Sequence, residues 1–392
     1  MTEQKYSLEE IRLRLNELDD QLLKLLSERR KMSIEVAKSK VQTSKPVRDA
    51  TREQQLLVKL INAGKDKYEL DAQYITKLFH TIIEDSVLLQ QAYLQNLANP
   101  ELSRKPLARV AFLGSRGSYS HLASREYFSR KNTELIELNC EHFKDVAHTV
   151  ESGHADFGVL PIENTSSGSI NEVYDLLQHT TLYIVGELTL PIEHCLVATS
   201  DLRLEDLKTL YSHPQPHQQC SEFLSKLKGV KLESCASTAD AMQKVKELNR
   251  DDVAAIGNAS SGKLYGLQSI QGNIANQTEN HTRFIVVARK PVEVSSQIPA
   301  KTTLIMSTSQ EAGSLVETLL VLQRYGINMM KLESRPIMGN PWEEMFYVDL
   351  EAHLDSNEMQ QALSELTKLT KHLKVLGCYP RENVQPTQVK LV

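Results

Sequence analysis

The chain has 392 residues, room for two to three domains at about 150 residues each, and 41% of them are apolar and 24% charged. Sixteen glycines and thirteen prolines are too few for a fibrous or disordered chain, and no run approaches the ~18 continuous apolar residues of a membrane helix. A net charge of −5 and a pI near 6.2 argue against a nucleic-acid-binding surface. Five cysteines (Cys140, Cys195, Cys220, Cys235, Cys378) include no C-x-x-C pair, and the first residues are polar and acidic. The expectation is a cytoplasmic chain with reduced thiols, no export signal, no metal and no membrane partner.

Two proline-bearing polar stretches divide the chain: Asn99 to Pro106, and Lys290-Pro291 through Pro299. Three domains are predicted, over 1–98, 107–290 and 301–380, with a short tail. In the first, Leu8, Ile11, Leu15, Leu18, Leu22, Leu25, Arg29, Met32 and Val36 alternate at spacings of three and four. That heptad seam predicts a helix of roughly 35 residues, about 50 Å long, ending before Ser44-Lys45-Pro46. A second helix is predicted from Asp49 to Ala63-Gly64 and a third from Asp71 to Leu97. A helix as long as the first has no equal partner within 98 residues, so dimerisation along the seam is expected.

The second segment alternates apolar runs (Arg109–Leu113, Phe157–Pro161, Leu182–Glu187, Val253–Ile256, Phe284–Ala288) with helical stretches, which is an α/β pattern. In the third, strands at Thr303–Ser307, Asn328–Ser334, Glu344–Glu351 and Val375–Cys378 and helices at Ser314–Tyr325 and Asn357–Leu369 give the order βαββαβ. This is the ferredoxin-like split unit.

The exceptions within the helical segment carry its chemistry. Arg29 occupies a seam position, and Ser86 and Gln90 continue the apolar stripe Ile75, Phe79, Ile82. Lys40 lies about 20° off Arg29's face and about 16 Å along the helix. Asp49, Arg52 and Glu53 form one i, i+3, i+4 cluster. Arg12 is about 42 Å from Lys40 and roughly 100° off Arg29's face, so it serves the same site only from a second copy of the chain. Seven basic residues fall between positions 29 and 48 against one acidic residue, Glu35. Each cation taken alone reads as a snorkelling or solvated side chain, and Asp49–Arg52–Glu53 as a helix-start charge cluster. Taken together, the polar groups on apolar stripes favour a buried pocket for a small polyanion, because unpaired polar groups are costly to bury.

Other signals are weak. Gly114-Ser115-Arg116-Gly117 lacks the G-K-[ST] end of a P-loop, and no G-x-G-x-x-G follows a strand. His213 and His217 have helical spacing, but Pro214 and Pro216 are expected to forbid the helix that would align the two rings, and His194-Cys195 reads as packing. No cofactor is called for.

Arg12, Glu28-Arg29-Arg30, Lys40, Arg48-Asp49-x-x-Arg52-Glu53 and Glu84-Asp85-Ser86-x-x-x-Gln90 resemble the all-helical chorismate mutase domain. Gly117-Ser118-Tyr119-Ser120, Pro161-Ile162-Glu163-Asn164-Thr165-Ser166-Ser167-Gly168, Tyr211-Ser212-His213-Pro214-Gln215-Pro216 and Thr282-Arg283-Phe284 resemble prephenate dehydratase. Gly313-Ser314-Leu315-Val316 and Glu333-Ser334-Arg335-Pro336 resemble the phenylalanine-binding ACT domain of such enzymes. Together they are similar to the bifunctional chorismate mutase/prephenate dehydratase family over nearly the whole chain. Two departures stand out: Ser115 where the family often has proline, and Ser314 where many members carry alanine.

The resemblance implies a multidomain protein. Its parts would be an all-α mutase domain, an α/β dehydratase domain of the two-lobed periplasmic-binding-protein type, and a ferredoxin-like ACT domain. It implies a homodimer that rearranges chorismate to prephenate and converts prephenate to phenylpyruvate, with phenylalanine as feedback effector. Arg12 from the partner and Arg29 would then hold two carboxylates, Lys40 and Gln90 the ether oxygen, and Asp49 and Glu53 the ring hydroxyl. Arg52 would support this shell, and Ser86 would bind a carboxylate. In the dehydratase, Thr282 would act on the departing hydroxyl. Glu163, Asn164, Thr165, Ser166, Ser212 and Gln219 would line the site, and Arg283 would pair a carboxylate. Gly313, Ser314, Leu315, Val316, Glu333, Ser334, Arg335 and Pro336 would receive the effector. Two other classes fit parts of the pattern: a non-catalytic amino-acid sensor, which has no need of inward Arg29, Lys40, Ser86 and Gln90, and an exported solute-binding protein, which lacks a signal peptide here.

Overall fold

A computed structural model describes residues 7–43, 45–103, 107–129, 133–277, 279–337, 339–340 and 342–382. The heptad seam forms one helix, α1 (Leu8–Thr43), with Glu9 and Glu10 in its first turn and Lys40 in its last, the favourable ends of the helix dipole. Helix α2 (Ala50–Tyr68) starts where Asp49 Oδ1 accepts a hydrogen bond from Arg52 N at 2.9 Å. It does not stop at Gly64 as the glycine suggested. Gly64 stays helical and buried, because a Cβ there would lie 2.0 Å from Ile75 Cδ1, so the missing side chain serves close packing rather than termination. The helix ends instead on Glu69, in the left-handed region at φ 54°. Helix α3 (Ala72–Ala98) is capped by Asp71, whose Oδ1 accepts from Tyr74 N at 2.7 Å.

Helix α3 packs on α1 and α2, burying Ala37, Leu57, Ile75, Ile83, Val87 and Leu94. Much of the α1 seam stays open in the single chain: Leu18 is 47%, Leu22 50% and Leu25 63% exposed. The first linker begins with a short helix, α4 (Pro100–Ser103), with proline at the tolerated first position. Arg104, Lys105 and Pro106 lie outside the described residues, as do Ser44 and the expected tail from 383 onward.

The chain divides into two compact units. The helical unit runs to Leu102 and takes in Ser295–Ile298, and the second comprises Ser103–Val294 and Pro299–Glu382. The second and third predicted domains are therefore one unit. The second linker is not free either, because Gln297 Nε2 donates to the carbonyls of Lys40 (2.6 Å) and Lys45 (2.9 Å).

The second unit opens with β1 (Leu107–Leu113), α5 (Tyr119–Ser129), β2 (Glu134–Cys140), α6 (Phe143–Glu151), β3 (Phe157–Asn164), β4 (Gly168–Ser169), α7 (Asn171–His179) and β5 (Tyr183–Pro191). The chain then leaves this sheet and builds a second one. Its elements are β6 (Cys195–Ala198), β7 (Thr209–Ser212), α8 (Pro214–Gln219), α9 (Ser221–Leu224), β8 (Lys231–Ser234), α10 (Thr238–Leu248), β9 (Val253–Gly257), α11 (Ala259–Leu264) and β10 (Gln268–Gln271). It returns as β11 (His281–Ala288), which inserts antiparallel between β3 and β5.

The sheet orders are β2-β1-β3-β11-β5, with β4 on β3, and β10-β6-β9-β7-β8. The outgoing and returning crossovers lie side by side, with Ile192 N donating to Asn280 O at 2.7 Å. All five predicted strands form. Strands β2, β4, β6, β7, β8 and β10 escape the pattern reading because they are short or carry polar residues on an edge.

The remainder is β12 (Ala300–Thr308), α12 (Ser314–Arg324), β13 (Asn328–Pro336), β14 (Glu344–Glu351), α13 (Asn357–Leu369) and β15 (Thr370–Pro380). Its sheet, in the order β13-β14-β12-β15, is antiparallel throughout, the predicted βαββαβ arrangement. One face carries α12 and α13, whose Val321 and Leu366 share a core cluster with Leu304, Met306 and Val348 of the sheet. The other turns Ile305, Tyr347, Leu376 and Tyr379 into the core of the first α/β sheet. Strand β15 comes so near β5 that a Cβ on Gly377 would sit 2.1 Å from Ile184 O.

Candidate active sites

The helical unit collects the expected polar residues in two groups. In the first, Arg29 Nη1 donates to Ile82 O at 3.1 Å and to Ser86 Oγ. Gln90, one turn beyond Ser86, donates from Nε2 to Ser86 O at 3.1 Å. Ser86 and Gln90 are each 7% exposed, and Gln90 Oε1 is buried with no partner. The α3 stripe thus continues inward with polar groups, as its periodicity required. Burial pulls the Arg29 guanidinium below its ordinary pKa, with Asp85 opposing. An unsatisfied buried acceptor costs about 1–3 kcal/mol, so this wall is better suited to a polar guest than to an apolar core.

In the second group, Lys40 Nζ donates to Val47 O. Burial lowers the Lys40 pKa, while the nearby carboxylates of Asp49 and Glu53 work against that shift. Glu53 is buried and accepts from Arg48 Nε at 3.1 Å, so Arg48, read only as a basic neighbour, holds Glu53 in place. Arg52 is exposed, and only its backbone N–H meets Asp49. Arg12 is exposed on α1. A cation cluster with paired donors on a buried wall can bind a compact anion and stabilise charge as it moves, without any proton transfer.

In the second unit, Asn164 is the organising side chain. It ends β3 opposite Thr282, the second residue of β11. Its Nδ2 donates to Thr282 Oγ1 at 2.9 Å, Asn280 Oδ1 at 2.7 Å and His281 O at 3.1 Å. Its Oδ1 accepts from Ser166 N and Ser167 N, both at 2.9 Å, which shapes the turn after the strand. Thr165 closes the same corner, exchanging hydrogen bonds with His281 (both 2.9 Å). Thr282 is 8% exposed. With its oxygen already accepting from Asn164, its own O–H is free to donate outward, which suits it to stabilising a departing oxygen.

The second sheet reaches this corner through α8, which forms despite Pro214 and Pro216: both prolines fall in its first turn, where no backbone N–H is needed, and His213 Nδ1 caps it by accepting from Gln215 N at 3.2 Å. From α8, Gln215 Nε2 donates to Ser167 Oγ at 3.1 Å. Ser212, at the end of β7, is 5% exposed and donates to His213 O at 2.9 Å. Gln219 is held by His194, whose Nε2 lies 2.7 Å from Gln219 Oε1. Because that oxygen only accepts, Nε2 carries the proton. Burial keeps the His194 pKa low, so the ring stays neutral. His194 therefore does more than pack: it fixes the Gln219 amide with its NH₂ pointing away. His121 was also missed. It is fully buried, accepts from Gly117 N at 3.1 Å through Nδ1 and places Nε2 3.0 Å from Glu137, which fixes the Gly117-Ser118 turn. Its spacing four residues after the motif glycine was the signal available.

Two expected site residues face elsewhere. Arg283 and Glu163 follow and precede Thr282 and Asn164, so strand alternation turns them to the opposite face. There Arg283 is held by carboxylates of the chain itself, Glu163 (3.0 Å), Glu187 (3.0 Å) and Asp349 (2.6 Å). Arg335, expected beside an effector, is paired through two bonds of 3.0 Å with Asp175 of α7. Gly313 takes φ 92° and starts α12, and Ser314 Oγ lies 2.7 Å from Ser309 Oγ. Leu315 packs into the domain core, whereas Val316 is 58% exposed. Glu333 is half-buried and Ser334 and Pro336 are exposed along the edge strand β13. Among the described residues no group of three or more metal-ligating side chains occurs, and no helix is long and apolar enough to cross a membrane.

The model of type II chorismate mutases matches residues 11–91, and that of prephenate dehydratases matches residues 110–292. The bifunctional chorismate mutase/prephenate dehydratase of Enterobacter agglomerans is 56% identical over 379 residues, 96% of this chain and 97% of that protein. Its counterpart in Escherichia coli strain K12 is 55% identical over the same shares. The structure of prephenate dehydratase from Arthrobacter aurescens in complex with L-Phe superposes with a TM-score of 0.63 at 26% identity, covering 72% of this chain and 93% of that one.

Proposed function

This chain belongs to the bifunctional chorismate mutase/prephenate dehydratase family, and from that premise we propose that its helical unit rearranges chorismate to prephenate and its α/β layer converts prephenate to phenylpyruvate. The observation that carries the first half is the buried polar wall of Arg29, Ser86 and Gln90 with an unpartnered amide oxygen. Chorismate is a dianion whose reaction breaks one C–O bond and forms one C–C bond within the same molecule. It needs a compact conformation and positive charge near the ether oxygen, not a nucleophile.

Arg29 and Ser86 take one carboxylate, and Arg12 of a second copy takes the other. Lys40 and Gln90 donate to the ether oxygen. Asp49 and Glu53 receive the ring hydroxyl, and Arg52 supports the rim. The exposed apolar seam of α1 supports a homodimer joined along it.

In the dehydratase, the ring carboxylate leaves as carbon dioxide. Its bonding pair enters the ring as the C–O bond breaks, and the departing hydroxyl leaves as water once it gains a proton. Thr282, held by Asn164, donates a hydrogen bond to that oxygen. Thr165, Ser166, Ser212 and Gln219 line the cavity, whereas Glu163 and Arg283 support it from behind. The two sheets and their paired crossovers favour a two-lobed, periplasmic-binding-protein-like architecture that closes over the substrate.

The ferredoxin-like part reads as an ACT domain for phenylalanine, with Gly313–Val316 and the Glu333–Pro336 strand at the effector edge and Arg335 spent on Asp175. The complex of the Arthrobacter protein with L-Phe supports that assignment. Five free cysteines suit a cytoplasmic setting. The test is to incubate the purified chain with chorismate alone, without cofactor. Prephenate is expected first and phenylpyruvate after it, and unchanged chorismate refutes the reading.

A further inference from the structure

Behind Thr282, on the opposite face of its sheet, lie seven charged side chains: Arg283, Lys301, Lys331, Glu163, Glu187, Asp349 and Glu333. Arg283 holds Glu163, Glu187 and Asp349 at 3.0, 3.0 and 2.6 Å. Lys301 pairs with Glu187 at 2.7 Å and stands 4.0 Å from Asp349, and Lys331 pairs with Glu163. Thr303 Oγ1 donates to Asp349 Oδ1 at 2.7 Å and lies 2.9 Å from the Tyr379 hydroxyl. Glu187, Lys301 and Asp349 are 7%, 6% and 5% exposed, so these charges interact with little screening.

The charges come from two layers. Arg283, Glu163 and Glu187 belong to β11, β3 and β5. Lys301, Lys331, Asp349 and Glu333 belong to β12, β13 and β14, and Lys331 also stands 3.8 Å from Glu333. Arg283 bridges to Asp349, Lys301 to Glu187 and Lys331 to Glu163 across the two layers, and a buried charge left without its partner is costly. Burial favours loss of the Arg283 charge, but Asp349, Glu187 and Glu163 outweigh it and keep the guanidinium firmly protonated. Arg283 and Glu163 face each other across the β3–β11 ladder, one register step from the Thr282–Asn164 pair. The ferredoxin-like sheet therefore grips the two residues adjoining the site.

We propose that Arg283 and Glu163 are positioning residues through which the ferredoxin-like sheet acts on Thr282 and Asn164, so that an effector bound to that sheet restrains the dehydratase by shifting the shared charge cluster. This rests on the reading of Thr282 as the dehydratase group and of phenylalanine as the effector. A ligand biases a distant site only through contacts that differ between two states, and ion pairs that span two layers, Arg283 to Asp349, Lys301 to Glu187 and Lys331 to Glu163, provide such contacts.

The experiment uses the full chain with Asp349→Asn, which removes one charge at nearly constant volume, and with Thr303→Val, which removes only the hydroxyl that orients Asp349. Dehydratase rate is followed with and without phenylalanine, phenylalanine binding by calorimetry, and mutase rate as the internal standard for folded protein. The basal dehydratase rate is expected to persist, because Arg283 keeps Glu163 and Glu187. The factor by which phenylalanine slows the dehydratase should shrink about 5-fold or more in Asp349→Asn, and less in Thr303→Val, while phenylalanine still binds. Undiminished inhibition in both variants overturns the coupling and leaves the effector reading standing. An unaltered chain that neither binds phenylalanine nor is slowed by it overturns the effector reading itself.

Discussion

Replacing Lys40 by methionine keeps the length and apolar stem of the side chain and deletes its charge. If the ammonium lies about 3 Å from an ether oxygen that gains roughly half a unit of charge, an effective dielectric near 20 makes the interaction worth about 3 kcal/mol. At 1.36 kcal/mol per decade, that is on the order of a hundred-fold in kcat. The neighbouring Asp49 and Glu53 oppose the transferred charge, so deleting the cation exposes the substrate to them and the loss should not be smaller. Chorismate disappearance and prephenate formation measure the mutase, and phenylpyruvate formation from added prephenate measures the dehydratase in the same sample. The mutase should fall by that factor with the dehydratase unchanged. A Lys40→Met variant whose mutase kcat stays within about threefold of the original, a loss under 1 kcal/mol, would falsify the electrostatic role.

Because burial lowers the Lys40 pKa, the ammonium is complete at low pH and is lost as pH rises through that depressed value. Mutase kcat/KM should decline on the alkaline side before the ordinary lysine range near ~10.4 is reached, and a profile flat beyond that range argues against a titrating Lys40. Thr282→Ala should abolish phenylpyruvate formation and spare the mutase, whereas Thr282→Ser, which keeps the hydroxyl, should retain part of it. Equal activity in the two variants removes Thr282 from the mechanism. Gly377→Ala pushes a Cβ to 2.1 Å from Ile184 O, and overpacking against backbone should cost about 3 kcal/mol or more. Thermal unfolding should show the second unit destabilised, and an unchanged melting temperature contradicts the close approach of β15 and β5.

The heptad spacing from Leu8 to Val36 specified α1 as one long helix, because a 3.5-residue repeat over four heptads fits only one periodicity, and Ser44-Lys45-Pro46 marked its end. The same reasoning placed Ser86 and Gln90 inward, since they continue a stripe already fixed by Ile75, Phe79 and Ile82. It failed at Gly64, where a local helix-stop signal was overridden by the need for close contact with Ile75.

The alternation of side chains along strands already separates Thr282 from Arg283 and Asn164 from Glu163. Which face of that sheet holds a site and which is buried under another layer is not written in any one strand. That was decided by the packing of β12–β15 against the sheet, which brings Asp349 to Arg283 across 66 residues of chain and Lys301 to Glu187 across 114. Likewise, His194 and Gln219 are 25 residues apart in sequence and are both held by the returning segment, Ile274 N donating to His194 O at 3.1 Å and Asn276 N to Gln219 O at 2.7 Å. Periodicity and capping act over one turn or one strand and are legible locally, whereas charge compensation and shared hydrogen bonds depend on which layers come to rest on one another.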